Sequence, residues 1–381
     1  MVEIRRLSNA PLHHFFGYYG INAWSSDGRF HLSLESGFCD RRPTVGDTAG
    51  VGVIDCETGE FIRFSETPAF NFQQGCMLNW IDPLGKEEIC FNWFDGKSLC
   101  AKAIDFKSRN ERIIESAVAA VSPDKKTAMG LNYIRNFKCR KVVGYDLEKT
   151  VTPITHCPDD DGLYHIDLTT GKANMVLSIR TLIDELPESE TEEGPAWFDH
   201  IEFNPSGTRI FFMCRICTDK YWHSSFWTVN PDGSGLKNQI PYKYWISHFD
   251  WINDTDILVS SNVADGHRGF VKFTDSKYDF TPYAKESLPS DGHASFSNDL
   301  RFLLYDSNVP GERGLKELAM FDTKSVRKIP LGYFRHDNIY NGDIRCDLHP
   351  RFNSDCSLVT FDSVHEGTRQ IYLADVSEYT L

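Results

Sequence analysis

Four histidines in the second half of this 381-residue chain each stand three residues ahead of an aromatic. His200 precedes Phe203, His248 precedes Trp251, His293 precedes Phe296 and His349 precedes Phe352. Each aromatic leads into a short polar turn and an apolar strand, as in "DLHPRFNSDCSLVTFDS" from Asp347 to Ser363. Imidazoles at matching places in successive structural units converge when the units surround an axis, although no two are close in sequence. Three or four N/O/S ligands at about 2.0–2.3 Å hold Zn2+ or Mn2+. Asp291, Cys346 and Asp347 lie beside two of the histidines and are placed to complete such a set or orient the rings. Capping of each strand start is the plain alternative, but it gives no reason for the same residue four times.

A second group of chemically capable residues lies near the N-terminus, in "HHFFGYYG" (His13 to Gly20), "DRRPT" (Asp40 to Thr44) and "NFQQGCMLNW" (Asn71 to Trp80). Paired guanidinium groups recognise carboxylate or sulfate bidentately, which suits Arg41 and Arg42. Tyr18 offers a stacking face and Gln74 an amide donor, a combination that carbohydrate sites use. The two arginines and Gln74 are expected to face one groove. Against this stand a surface turn closed by an internal Asp–Arg pair, and packing of the tyrosines between structural units.

The elements that position these residues repeat. An aromatic or apolar residue, a turn of the S-x-D-G type and an apolar strand recur as "WSSDGRFHLS", "VSPDKKTAMGL", "FNPSGTRIFF", "FSNDLRFLLY" and "FNSDCSLVTF". Degenerate copies are "WIDPLGKEEICF" and "WINDTDILVS", which makes seven. A second strand–turn unit follows each, as in "GVIDCETGEF", "LYHIDLTTGK" and "LAMFDTKS". With outer strands added, seven four-stranded antiparallel sheets result, the signature of an all-β seven-bladed propeller. A β-sandwich with similar turns is the competing architecture. The four histidines then lead the innermost strands of blades four to seven, where blades one to three carry Ile21, Met77 and Val118. We expect one propeller domain over residues 1–381, with face insertions near 132–162 and 180–197. The N-terminal segment, up to about Ala10, supplies the outer strand of the last blade.

Composition narrows the partners. A formal charge of −14 argues against nucleic acid, which requires a basic surface. No run approaches the roughly 18 apolar residues of a membrane span, and the N-terminus lacks a signal-peptide core. Eleven cysteines, with C-x-x-C spacing only in "CRIC", indicate reduced thiols and a cytoplasmic protein; we also expect a monomer or small homo-oligomer. In "CRIC", strand alternation sends Cys214 and Cys217 to opposite faces, against a shared metal.

At "SHFDW", "GHASFS" and "DLHPRF" the chain resembles the seven-bladed, TolB-like propeller group of oligogalacturonate lyases, related ulvan lyases and rhamnosidases. The resemblance covers nearly the whole chain. It implies His293 and His349 as ligands of a divalent metal, and His248 as catalytic base or fourth ligand. With the in-register reading, His200, His248, His293, His349 and Asp347 form the candidate metal set. The implied substrate is an acidic oligosaccharide, cleaved by β-elimination: a base removes the proton α to a uronate carboxylate that a cation neutralises. Where the lyases carry a catalytic arginine, this chain has Ser225 in "HSSFW", which leaves that role to Arg215 or Arg345. In the related rhamnosidases the N-terminal cluster is used, which would make His14 the catalytic residue of a glycoside hydrolase. A non-catalytic sugar-binding or scaffold propeller is the third reading.

Overall fold

The computed structural model describes residues 2–148, 153–187, 194–218, 221–264 and 266–380. The chain folds as a seven-bladed β-propeller of four-stranded antiparallel sheets. The repeated turns explain why the blades recur. In five copies the first turn residue accepts the backbone N–H five positions on: Ser25 from Phe30, Ser122 from Thr127, Asn204 from Arg209, Ser297 from Phe302 and Asn353 from Leu358. The fourth turn residue is left-handed in every one: Gly28, Lys125, Gly207, Leu300 and Cys356 have φ of 57–72°. The turn geometry is kept even where no glycine is available to adopt it. The second unit closes on its aspartate. Asp105 and Asp167 each accept two backbone N–H groups from the residues that follow, which reverses the chain before the outer strand.

The aromatics that define the repeat bind neighbouring blades. Trp80 donates its indole N–H to the Ala23 carbonyl, just ahead of the first blade's Trp24. Trp251 repeats the contact on the Glu202 carbonyl, just ahead of Phe203, and stacks on Phe211 at 5.4 Å. The last blade is completed as expected: Ile4–Arg6 pairs antiparallel with Gln370–Asp375, with Ile4 opposite Ala374.

The histidine position is a bulge in the fourth blade but not in the sixth, where the His293 carbonyl accepts the Asp306 N–H in line with the Ala294–Tyr305 pair. In the fourth blade Asp199 pairs with Met213 and Glu202 with Phe211, so His200 and Ile201 stand opposite a single residue. His200, His349 and Met77, three positions equated by sequence, have φ of 53°, 43° and 52°. Bulges re-aim side chains beside functional sites, at the cost of a backbone that non-glycine residues seldom adopt. The first blade departs from expectation. Its innermost strand is His13–Phe15, paired with Phe30–Ser36, and Trp24 makes only an isolated bridge to His31. Residues 16–23 are therefore looped out where the third and fourth blades bulge by a single extra residue, and Ile21 is not a strand-leading counterpart of the histidines.

Between the second and third strands of the third blade stands an insertion with a helix at Tyr133–Cys139, capped by Asn132. A second helix, Ile179–Asp184, follows that blade's last strand. Of the expected insertion near 180–197, residues 188–193 lie outside the described residues. No helix among the described residues is long and apolar enough to cross a membrane, and none of the eleven cysteines forms a disulfide.

Two compact units make up the chain. One holds the residues up to Trp80, His248–Asp250 and those from Ala284 onward, and it contains His248, His293 and His349. Its core packs the sixth blade on the seventh through Leu304, Leu318 and Met320 against Val359, Phe361 and Tyr372. The other, Ile81–Ser247 with Trp251–Tyr283, packs the second blade on the third through Ile81, Cys90 and Ala103 against Val118, Ala128 and Ile166.

Candidate metal centre

Asp306, on the sixth blade's second strand, organises the centre. Its Oδ1 accepts both the backbone N–H and the Nδ1–H of His293, at 3.0 and 2.8 Å. Its Oδ2 accepts the backbone N–H of His349 in the next blade at 3.0 Å. Burial alone would raise the Asp306 carboxyl, but the adjacent His293 outweighs it and holds the group well below the usual carboxylate range. With Nδ1–H committed to Asp306, His293 presents the lone pair of Nε2, the arrangement that carboxylate–histidine pairs give metal ligands. That Nε2 lies 3.1 Å from Nε2 of His349. Burial pushes both imidazoles below the ordinary histidine value, which favours the neutral, ligating form.

Asp347 completes a three-residue group whose ligand atoms all lie within 4.8 Å of one another. Two ligands at right angles on a bond of about 2.2 Å stand about 3 Å apart, so the paired histidine nitrogens suit a divalent ion. Asp347 is itself held by two cations, Lys316 Nζ on Oδ1 at 2.9 Å and Arg345 Nε on Oδ2 at 2.7 Å. Burial opposes its ionisation, but these neighbours keep it well below the carboxylate range.

His248 stands beside this group, its ring centroid 3.9 Å from that of His293. Its Nδ1 pairs with Asp291 Oδ1 at 2.9 Å. Burial pulls His248 down, but the Asp291 carboxylate more than offsets this and sets its pKa above the ordinary value. His248 and His293 line a cavity of about 370 Å3 that also takes in Asp347, Lys316 and Arg345. From the looped-out segment of the first blade comes Tyr19, buried with its ring 4.7 Å from His293 and 6.0 Å from His349.

The other predicted site residues fall elsewhere. His200, in the second unit, pairs through Nδ1 with Asp199 at 2.7 Å, and Arg215 Nε lies 3.4 Å from the same carboxylate. Neither belongs to the three-residue group, and His248 joins it as a neighbour, not as a member. His14 is buried between Gln370 and Glu35, 3.3 Å from each. Arg41 forms a bidentate pair with Asp47 and lies over the Phe38 ring, so the internal Asp–Arg alternative describes it better than an open anion site. Arg42 pairs with Asp343 at 2.6 Å. Gln74 is buried in a tight turn, its N–H on Asn71 Oδ1. Tyr18 is half-buried, packs on Tyr19 and lends its carbonyl to Arg351. Sequence reading missed Asp306, Tyr19 and Lys316. For Asp306 a signal existed: "YDS" and "FDS" end the same strand in blades six and seven, and Asp362 likewise accepts the backbone N–H groups of Phe16 and Gly17 from the following blade.

Solved structures share this architecture. An oligogalacturonate lyase from Vibrio parahaemolyticus superposes with a TM-score of 0.67 at 16% identity, over 100% of this chain and 95% of that one. An oligogalacturonate lyase in complex with manganese gives 0.68 at 15% identity, over 98% and 93%. This chain has the fold of the oligogalacturonate lyases. The β-propeller domain of the trilobed protease from Pyrococcus furiosus is similar at 0.52 and 10% identity, over 95% and 96%. No protein-family model matches the sequence, and no curated protein matches it.

Proposed function

We propose that this protein is a metal-dependent lyase that cleaves acidic oligosaccharides, oligouronates, by β-elimination. The observation that carries the reading is the convergence of His293 and His349, Nε2 to Nε2 at 3.1 Å, on Asp347, with His248 alongside. Two similar structures are oligogalacturonate lyases, one of them with manganese, and this supports the choice of substrate class and ion. His293, His349 and Asp347 would hold Mn2+ or Zn2+. When bound, the ion supplies positive charge that neutralises a uronate carboxylate and so acidifies the carbon beside it.

The chain's own residues do the rest. Asp291 takes the Nδ1–H of His248 and leaves Nε2 to accept the proton from the carbon α to the carboxylate. The electron pair of that C–H bond becomes the new C=C bond as the C–O bond at the β carbon breaks. The departing sugar oxygen takes up a proton. Lys316 and Arg345 keep Asp347 ionised and oriented toward the histidines. His14 lies outside this cavity, buried between Gln370 and Glu35.

The test is direct. Purified protein should contain a stoichiometric divalent metal and should convert oligogalacturonates to a product with the ultraviolet absorbance of an unsaturated uronate. Metal-free protein that binds sugar without forming this product would leave the scaffold reading in its place.

A further inference from the structure

A second cavity, of about 280 Å3, lies in the same unit as the histidine centre and shares no lining residue with the first. The same stretches of chain reach both. Phe296 stands three residues on from His293, and Phe352 three on from His349; both rings line the second cavity, half-buried. Three residues span about 10 Å at most, so each inner strand runs from one cavity to the other within that length. The looped-out segment of the first blade bridges them as well. Tyr19 packs on the histidines, and the next two residues, Gly20 and Ile21, line the second cavity. Arg351, only 2% exposed, fixes this segment by donating to the Tyr18 carbonyl at 2.9 Å.

The wall offers no free charge. Arg351 is the one ionisable side chain that lines it, and Asp362 neutralises that guanidinium at 2.7 Å. Asp299 and Asp355 directly follow the lining residues Asn298 and Ser354, and each accepts a serine hydroxyl within its own turn. Their charge disfavours an anion beside them. Polar atoms do remain for a ligand. The half-buried Ser295 hydroxyl makes no hydrogen bond among the described residues. Asn298 commits its Nδ2 to the Ser354 carbonyl at 2.8 Å, which leaves Oδ1 as an acceptor. Ser354 Oγ accepts from Asn22 at 3.4 Å and keeps its own proton to donate. The volume falls just under the roughly 300–1,000 Å3 of sites for drug-sized ligands, room for one ring and not for a chain.

We propose that this cavity is a second binding site, which takes a single neutral sugar ring. One face of a pyranose carries only C–H bonds and is covered by Phe296 and Phe352, whereas its hydroxyls meet Ser295, Asn298 and Ser354. Charge separates the two sites. The histidine centre suits a carboxylate held by a cation; here the cation is already neutralised and carboxylates stand beside the opening. Because no residue is shared, the second site holds its ligand whether or not the first performs an elimination.

Calorimetric titration of the purified protein with glucose, galactose, mannose and rhamnose tests this, with galacturonate as competitor. At least one neutral sugar should bind saturably, one per chain, and excess galacturonate should not displace it. Asn298→Ala removes one acceptor from an exposed turn and should weaken binding about two- to tenfold. Ser354→Trp fills the opening from an exposed position and should abolish it. No saturable binding of any of the four sugars, displacement by galacturonate, or an affinity unchanged in both variants would overturn the inference. Neutral-sugar binding by protein that forms no unsaturated product would sink the lyase reading and leave this site standing.

Discussion

Asp306 fastens His349 across a blade boundary, its Oδ2 on the His349 backbone while its Oδ1 orients His293. The two rings are therefore positioned by one carboxylate, which holds the Nδ1–H of His293 and leaves its Nε2 facing that of His349. Asp306→Asn keeps the shape and removes the charge. Metal affinity should fall about 10–100-fold, the usual loss when the partner of a ligating histidine is changed. Calorimetric titration with Mn2+ checks this, and an unchanged affinity would show that Asp306 serves the backbone alone.

The three histidines should separate by phenotype. His293→Ala and His349→Ala should abolish both metal content and eliminase activity, because each removes one of two paired nitrogens. His248→Ala should keep the metal and lose the activity, since the role proposed for it is proton removal. Elemental analysis beside product absorbance reads both. Loss of metal in His248→Ala would instead make it a ligand.

Chelation should act on stability as well as on rate. An ion that binds only the folded chain stabilises it by about 2.7 kcal/mol at a hundredfold excess over its dissociation constant. Exhaustive chelation should lower Tm, and Mn2+ should restore both Tm and activity. Identical melting curves with and without metal would count against a structural grip by His293, Asp347 and His349.

The repeated turns make a prediction of opposite signs. Gly28 sits at φ of 72° with nothing near a would-be Cβ, so Gly28→Ala should cost about 1 kcal/mol through backbone strain alone. Leu300 holds the same place at φ of 60°. Leu300→Gly should leave stability unchanged or raise it by up to about 1 kcal/mol, because strain relief offsets glycine's greater unfolded-state entropy. Urea midpoints decide the matter, and equal destabilisation by both changes would refute the strain account.

The blades were legible because each is bounded by turn chemistry that is local: six residues from Ser25 to Phe30 contain their own hydrogen bonds. The closure by Ile4–Arg6 followed from counting strands. The left-handed backbone that Met77, His200 and His349 share was legible as a common register, although His293 runs in ordinary strand register. Which imidazoles meet was not, because that depends on partners far along the chain. His200 turns to its neighbour Asp199, whereas His293 and His349 are drawn together by Asp306. Tyr19 escaped notice because the first blade loops out eight residues where the third and fourth blades insert one. Arg41 was misjudged although its partner, Asp47, lies only six positions away.

The pairing of Ile4 with Ala374 has a consequence for how the molecule comes to exist. Its two partners are about 370 positions apart, and closing so long a loop costs about 5 kcal/mol of chain entropy before the pairing returns anything. During synthesis the first strand has no mate until Gln370–Asp375 has been made, and an open sheet edge waits meanwhile. His349 belongs to the blade that this late event completes. The contact it shares with His293 therefore depends on a blade that is closed late. Such long-range topology also favours slow refolding from denaturant.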